Sequence, residues 1–304
     1  MKSATAICSQ VPVLARSRVF DFVEMTKPRM SVLILFTVGI GALLAEGRVP
    51  ATLILVHTLL GTAMVAAGAS ALNQFLERHL DAKMQRTENR PLPSGRVQPI
   101  EALILGVVLG IAGIAYLAIQ LRQPWAALVA AFTFACYVFV YTPLKQRTPL
   151  NTLIGAVPGA LPPLIGWAAI RGPWSFEALS LFLIIFFWQL PHFYAIAWIY
   201  RADYAAAGYR MISTVDDAKR KTARGMVGYC AILVLVSLAP WFAGIAGMIY
   251  AVGAVILGLG FLASTAAFAV RISEIQARRV LRASLVYLPA VFGLLVLDGW
   301  LKGW

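Results

Sequence analysis

Apolar residues in this chain come in long runs broken by short polar stretches. The runs cover residues 30–44, 51 to just past 73, 100–121, 125–141, 150–170, 176–200, 223–243, 246–270 and 281–304. Most are apolar around the whole helical circumference. Segments of about 20 such residues are what a bilayer crossing requires. Unpaired backbone groups are not tolerated in lipid, so each run is expected to be a helix. The pattern predicts an all-α polytopic membrane protein of about nine transmembrane helices. Residues 1–25 form a polar cytoplasmic tail, and 26–304 form one membrane domain. Pro158, Pro162 and Pro163 in the fifth run and Pro191 in the sixth should kink their helices and open a cavity between them.

Composition agrees. Of 304 residues, 60% are hydrophobic and 13% charged, and mean hydropathy is +0.79. Soluble domains carry about 45–50% apolar and about 25% charged residues. The formal net charge of +13 does not point to nucleic acid, because the cations sit in short loops between apolar runs. With the N-terminus inside, only Arg48, Arg122, Arg171 and Lys302 of the 26 Lys and Arg residues fall outside. The positive-inside rule therefore puts the N-terminus in the cytoplasm and the C-terminus on the far side. Both long loops, 77–98 and 201–222, then lie on the cytoplasmic rim, where function is expected. Cys8, Cys136 and Cys230 lack metal spacing and read as small hydrophobes. The first 25 residues do not resemble a cleaved signal peptide.

Asn73, Glu77 and Asp81 recur every four residues at the cytoplasmic end of the second run, on one helical face. A carboxamide and two carboxylates offer the hard oxygens Mg²⁺ takes while sharing its shell with phosphates. The alternative is a solvated helix end. The neighbouring cations favour a metal–diphosphate complex, with Arg86 and Arg90 the best candidates. Tyr141 and Lys145 close the fourth run within phosphate reach. They also fit an interfacial aromatic and a topology-setting lysine. His192, in Trp188-Gln189-Leu190-Pro191-His192-Phe193-Tyr194, lies deep in the sixth run, so it needs a cavity or a hydroxyl partner. Asp203 offers a further acid on the same rim, or an ion pair with Arg201 or Arg210. Asp216 and Asp217 read as solvated, and Asp298 as structural.

At these residues the chain resembles the UbiA-type intramembrane prenyltransferases. Asn73-x-x-x-Glu77-x-x-x-Asp81, followed by Arg86-Thr87-x-x-Arg90-Pro91-Leu92, is similar to that family's first motif in the branch that farnesylates protoheme IX. Thr26-Lys27-Pro28-Arg29, Tyr141-Thr142-Pro143-Leu144-Lys145, Thr148-Pro149-Leu150-Asn151-Thr152, 155–163 and Pro191-His192-Phe193 through Asp203-Tyr204 are also similar to that branch. Two departures from the wider family, Gln74 and Ala207 where aspartates are usual, weaken a second metal site and a quinone or chlorophyll-precursor acceptor. The acids gather at one rim rather than at midplane, which speaks against a transporter.

The resemblance implies helices around a central cavity in a bacterial inner membrane. It implies farnesyl transfer from farnesyl diphosphate to the 2-vinyl group of haem B, giving haem O. Mg²⁺ would rest on Asn73, Glu77, Asp81 and Asp203, with Arg86, Arg90 and Lys145 on the leaving group. Lys27, Arg29, Tyr141, Arg147, His192, Asp203 and Arg210 are further substrate contacts, Arg147 and Arg210 for the haem propionates. A downstream haem A synthase is a candidate partner besides membrane lipid.

Overall fold

The computed structural model describes residues 17–303, and every regular element among them is helical. The chain runs through α1 (Arg18–Met25), α2 (Pro28–Glu46), α3 (Thr52–Asp81), α4 (Pro99–Gln120) and α5 (Pro124–Ala135). A π-helical segment, Cys136–Tyr141, leads into α6 (Thr142–Leu144). Then follow α7 (Asn151–Ala160), α8 (Pro162–Ala168), α9 (Phe176–Ile199), α10 (Arg201–Ala206), α11 (Ala218–Val236), α12 (Ala239–Phe242), α13 (Met248–Val270) and α14 (Glu274–Leu301). Prolines open α2, α4 and α5, where the missing N–H has no intrahelical partner to lose. Ser175 and Ser273 cap α9 and α14 through Ala178 N (3.1 Å) and Gln276 N (3.3 Å).

Eight stretches are long and apolar enough to cross a membrane: α2, α3, α4, Pro124–Leu144, α9, Ala218–Phe242, α13 and α14. The protein is thus an integral membrane protein. The expected run at 150–170 differs because it is broken. Pro162 and Pro163 follow Leu161 and end α7, leaving two short helices, α7 and α8. The chain still has to cross here. Lys145 and Arg210 share a backbone bond (Arg210 N to Lys145 O, 3.0 Å), so α5 and α9 finish at the same end of the bundle. Only a return through 151–168 brings the chain back to the start of α9, and 18 residues at about 1.5 Å each suffice for most of the hydrocarbon. Residues 18–25, expected in the polar tail, form α1; residues 1–16 lie outside the described residues.

The helix carrying the acids is fixed by close backbone approach. A Cβ on Gly68 of α3 would lie 2.5 Å from Gly110 N and 2.7 Å from Gly106 O on α4, and one on Gly113 would lie 2.8 Å from Val65 N. At the α2–α8 crossing, Gly41 abuts the Pro163 carbonyl and Gly166 the Val38 carbonyl. Apolar surface gains nothing by leaving lipid for another helix. Close packing and polar contacts therefore carry such interfaces. The far half is knitted by Tyr250, whose hydroxyl donates to Ser237 O (2.7 Å), and by Ser237 paired with the Tyr287 hydroxyl. Asp298 accepts from the Gly247 N–H at the start of α13, a structural role as expected.

Gly68→Ala should lower thermal stability in detergent by about 1–3 kcal/mol, since the added methyl meets backbone that cannot yield. Gly39→Ala, also within a helix but with nothing within 4 Å of the new atom, is the control and should be neutral or slightly stabilising. Equal melting midpoints for the two would contradict the close-approach account.

Candidate active site

Asn73, Glu77 and Asp81 occupy successive turns at the end of α3 and are 2%, 4% and 1% exposed. Each meets a cation from a different segment. Lys27 Nζ donates to Asn73 Oδ1 at 3.3 Å. Lys145 Nζ lies 2.8 Å from Glu77 Oε1. Arg90 Nη1 donates to Asp81 Oδ2 at 2.8 Å. Two carboxylates thus face three cations in a largely dry pocket. Lys27 is lowered to about 7 by burial and then by repulsion from Arg90 and Lys145. Burial is the strongest single influence on Lys145 and lowers it, but the Glu77 carboxylate together with Tyr141, Tyr137 and Tyr209 outweighs it and holds the ammonium well above its ordinary value.

Local structure puts these groups in place. Lys27 has a left-handed backbone (φ 49°) at the α1–α2 corner, which turns it back toward α3. Lys145 follows the π-helical segment. Pro143 lacks an N–H and crowds the carbonyl four residues back, so the helix widens just before it. Gly155 leaves room for the Tyr141 ring, over which Lys145 sits at 4.7 Å. The 82–98 loop folds back over the acids: Met84, Leu92 and Val97 are buried, and Thr87 Oγ1 donates to Asp81 O at 2.8 Å. Arg96 pins this loop to α1 through Asp21 (2.8 Å) and Glu24 (3.4 Å). Gln74 donates to Met25 O at 2.7 Å and so braces α1.

Other expected residues stand around this centre. Arg86 lies over the rings of Tyr200 and Tyr204, at 5.0 and 4.6 Å, which ties the first long loop to the second. Arg147 and Arg210 are exposed neighbours, Arg210 Nη1 donating to Arg147 O at 3.4 Å. Arg29 is exposed and has no ion pair among the described residues. Asp203 is half-buried; no three His, Cys, Asp or Glu side chains gather as a metal cluster among the described residues. Glu77 and Asp81 are therefore not joined by Asp203 in this structure. His192 bonds Ser284 Oγ on α14 at 2.7 Å and stacks on Trp188.

Three residues to which the sequence assigns no site role also stand here. Thr142 Oγ1 accepts from Asn73 Nδ2 at 3.2 Å. Tyr209 is buried with its hydroxyl against Glu77, and burial followed by that carboxylate raises its pKa. Asn151 is fully buried and donates to both Thr148 O (2.7 Å) and Arg210 O (2.8 Å). A polar residue opening an apolar helix, as Asn151 does, was the available signal.

Mg²⁺ fits the donor set. Three buried side-chain oxygens stand one turn apart, and Glu77 Oε1 has the Lys145 charge beside it but no aligned hydrogen-bond donor. A hard cation with part of its shell left for water and phosphate suits such a site.

A model described as the UbiA prenyltransferase family matches residues 34–288. The protoheme IX farnesyltransferase of Solibacter usitatus (strain Ellin6076) is 46% identical over 287 residues, covering 91% of this chain and 98% of the relative. That of Myxococcus xanthus (strain DK1622) is 42% identical over 279 residues, covering 91% and 94%. Among solved structures, a digeranylgeranylglyceryl phosphate synthase superposes with a TM-score of 0.78 at 16% identity, covering 93% of this chain and 98% of that one. A UbiA homologue from Archaeoglobus fulgidus bound to DMAPP and Mg²⁺ superposes with a TM-score of 0.61 at 14% identity, covering 90% and 99%. At such identities these structures speak for the fold.

Asn151→Ala leaves two backbone acceptors short of a donor and removes one of the ties between the 201–217 loop and the 145–151 turn, the Arg210 N to Lys145 O bond remaining. It should weaken that closure by about 1–2 kcal/mol, a roughly 5- to 30-fold rise in loop opening. Tryptic cleavage at Arg201 or Arg210 reads this directly. Cleavage at the wild-type rate would contradict the tie.

Proposed function

The chain belongs to the UbiA prenyltransferase family, and from that premise we propose that it transfers a farnesyl group from farnesyl diphosphate to the 2-vinyl group of haem B, releasing diphosphate and forming haem O. The observation that carries the chemistry is the pairing of each oxygen donor on α3 with a mobile-ended cation. The pocket is net positive while holding buried acids, which suits a metal-bound anion better than a free one. The 41–46% identity to protoheme IX farnesyltransferases supports the acceptor.

Asn73, Glu77 and Asp81 would hold Mg²⁺, which when bound neutralises diphosphate and stabilises it as a leaving group. Asp203 is not needed for this reading. Lys27 would turn from Asn73, Lys145 from Glu77 and Arg90 from Asp81 to the diphosphate oxygens, stabilising the negative charge that develops there as the C–O bond breaks. Arg86, held on Tyr200 and Tyr204, keeps the two loops closed over the head group. The bond between farnesyl C1 and the diphosphate oxygen breaks with its electron pair on oxygen. The terminal vinyl carbon then bonds C1, and water adds to the resulting cation beside the porphyrin ring and loses a proton. Exclusion of water from the first cation falls to the packed loops, in which Met84, Tyr209 and Met211 form a buried apolar cluster. Arg147 and Arg210 are exposed beside each other at the rim and suit the two propionates. The Lys and Arg distribution supports an orientation with this rim in the cytoplasm, and the bacterial sources of the relatives support an inner-membrane location.

Asp81→Asn keeps the shape of the side chain while removing its charge. It should cut haem O formation by about 100-fold or more, read by extracting haem from membranes and resolving products by mass. Hydroxyethylfarnesyl haem at near wild-type level in the inserted variant would remove the metal assignment. Unmodified haem B alone with the intact protein, farnesyl diphosphate supplied, would point to another acceptor.

A further inference from the structure

His192 is the one histidine held inside the bundle by a hydroxyl that is itself committed elsewhere. Ser284 Oγ lies 2.6 Å from Leu281 O and 2.7 Å from His192 Nδ1. The serine has one hydroxyl hydrogen for these two contacts. A carbonyl oxygen has none to offer, and two oxygens at 2.6 Å repel unless a hydrogen lies between them. The serine hydrogen therefore points at Leu281 O. The contact with Nδ1 then needs its hydrogen from the ring, so Nδ1–H donates to Ser284 Oγ. In the neutral imidazole this leaves a bare lone pair on Nε2. No described residue hydrogen-bonds that nitrogen. The ring's orientation is also fixed: Trp188 stacks on it at 5.0 Å and 27°, Phe193 meets it edge-on at 5.3 Å, and Trp188 is tied by Nε1 to Ser284 O at 2.8 Å.

A histidine kept only for packing would not need an oriented, unpartnered lone pair in a medium where such groups are expensive. A metal-binding histidine has this form: one ring N–H donated to a fixed acceptor, the other nitrogen free. We propose that His192 is an axial ligand of the haem iron through Nε2, with Ser284 as the positioning residue that sets its tautomer. The inference rests on haem B being the acceptor. His192 lies seven residues before the end of α9, about two turns below the rim. Ligation there would seat the macrocycle beneath the loops and leave its carboxylates to reach Arg147 and Arg210.

The test is resonance Raman and optical spectroscopy of ferrous haem B bound to the purified full-length protein, with product haem measured on the same samples. Wild type should show an iron–imidazole stretch. His192→Ala should lose it, bind haem at least tenfold more weakly, and regain the band with added imidazole. Ser284→Ala should keep the band but shift it to lower frequency, since the ring N–H loses its acceptor. That variant keeps the histidine and so reports on ligation even if His192→Ala does not fold. An unchanged band in His192→Ala would overturn the ligand assignment, and an unshifted band in Ser284→Ala would overturn the positioning role. Wild type that forms haem O while His192→Ala keeps its spectrum would sink the ligation alone. Wild type that binds haem through His192 but makes no haem O would sink the acceptor reading instead.

Discussion

Buried acids at the end of a membrane helix have to be matched by charge, and this requirement organises the loop-rich end of the molecule. Glu77 and Asp81 are almost wholly removed from water. A buried charge is costly unless it is paired. Lys145 lies 2.8 Å from Glu77 and Arg90 2.8 Å from Asp81, and Lys27 sits on the neutral Asn73. These three cations come from three separate stretches of chain. The α1–α2 corner, the 82–98 loop and the end of the π-helical segment must therefore all converge on the last two turns of α3. Burial first, and then repulsion from Arg90 and Lys145, lowers Lys27, so part of the cost of this site is the crowding of its cations. An incoming polyanion relieves that repulsion, so the arrangement is poised for the ligand rather than for the empty state.

Convergence at this accuracy needs a rigid base. The glycine crossing of α3 on α4 brings the two backbones to contact along Gly68, Gly106, Gly110 and Gly113. Contacts of that kind have two virtues in lipid: they gain dispersion where the hydrophobic effect is absent, and they leave no side chain to swing. Above the base, the loops are closed by polar ties rather than by apolar mass alone. Arg96 to Asp21, Arg86 on Tyr200 and Tyr204, and Asn151 to the Arg210 carbonyl each join segments far apart in sequence. Irregular backbone at this depth survives because its polar groups are satisfied within the protein.

The apolar runs made the spans legible, because hydrocarbon thickness sets a length that few soluble segments reach. The 150–170 run was legible as a crossing but not as two helices, since proline spacing gives a kink without giving the angle. Asn73, Glu77 and Asp81 were legible from a period of four at the polar end of an apolar run. Their partners were not. The positive-inside signal makes every rim cation look alike in sequence, and only tertiary structure separates Arg90 on Asp81 from Arg96 on Asp21. Arg86 was placed on the leaving group by spacing, yet it stands on two tyrosines. The small residues of α4, Gly106-x-x-x-Gly110-x-x-Gly113, carried a packing signal that periodicity of hydrophobicity does not register.

The polar groups also change character with depth, and that gradient matches the needs of the proposed reaction. At the end of α3 they are ions, paired and ready to exchange partners. Away from that rim, His192 with Ser284 and Tyr250 with Ser237 and Tyr287 make neutral contacts, closed among the tyrosines and Ser237 but leaving Nε2 of His192 open. Heterolysis of an allylic diphosphate separates charge, and the anion produced is the part that needs ionic partners. The cation is better left among apolar and weakly polar walls, where no strong nucleophile competes with the vinyl carbon. In the proposed reaction, ions at the rim would hold the anion and neutral contacts away from it would face the cation. A bilayer imposes the same order on the protein for its own reasons, since charge is tolerated near the interface and expensive at the centre. The fold can serve this chemistry without working against its solvent.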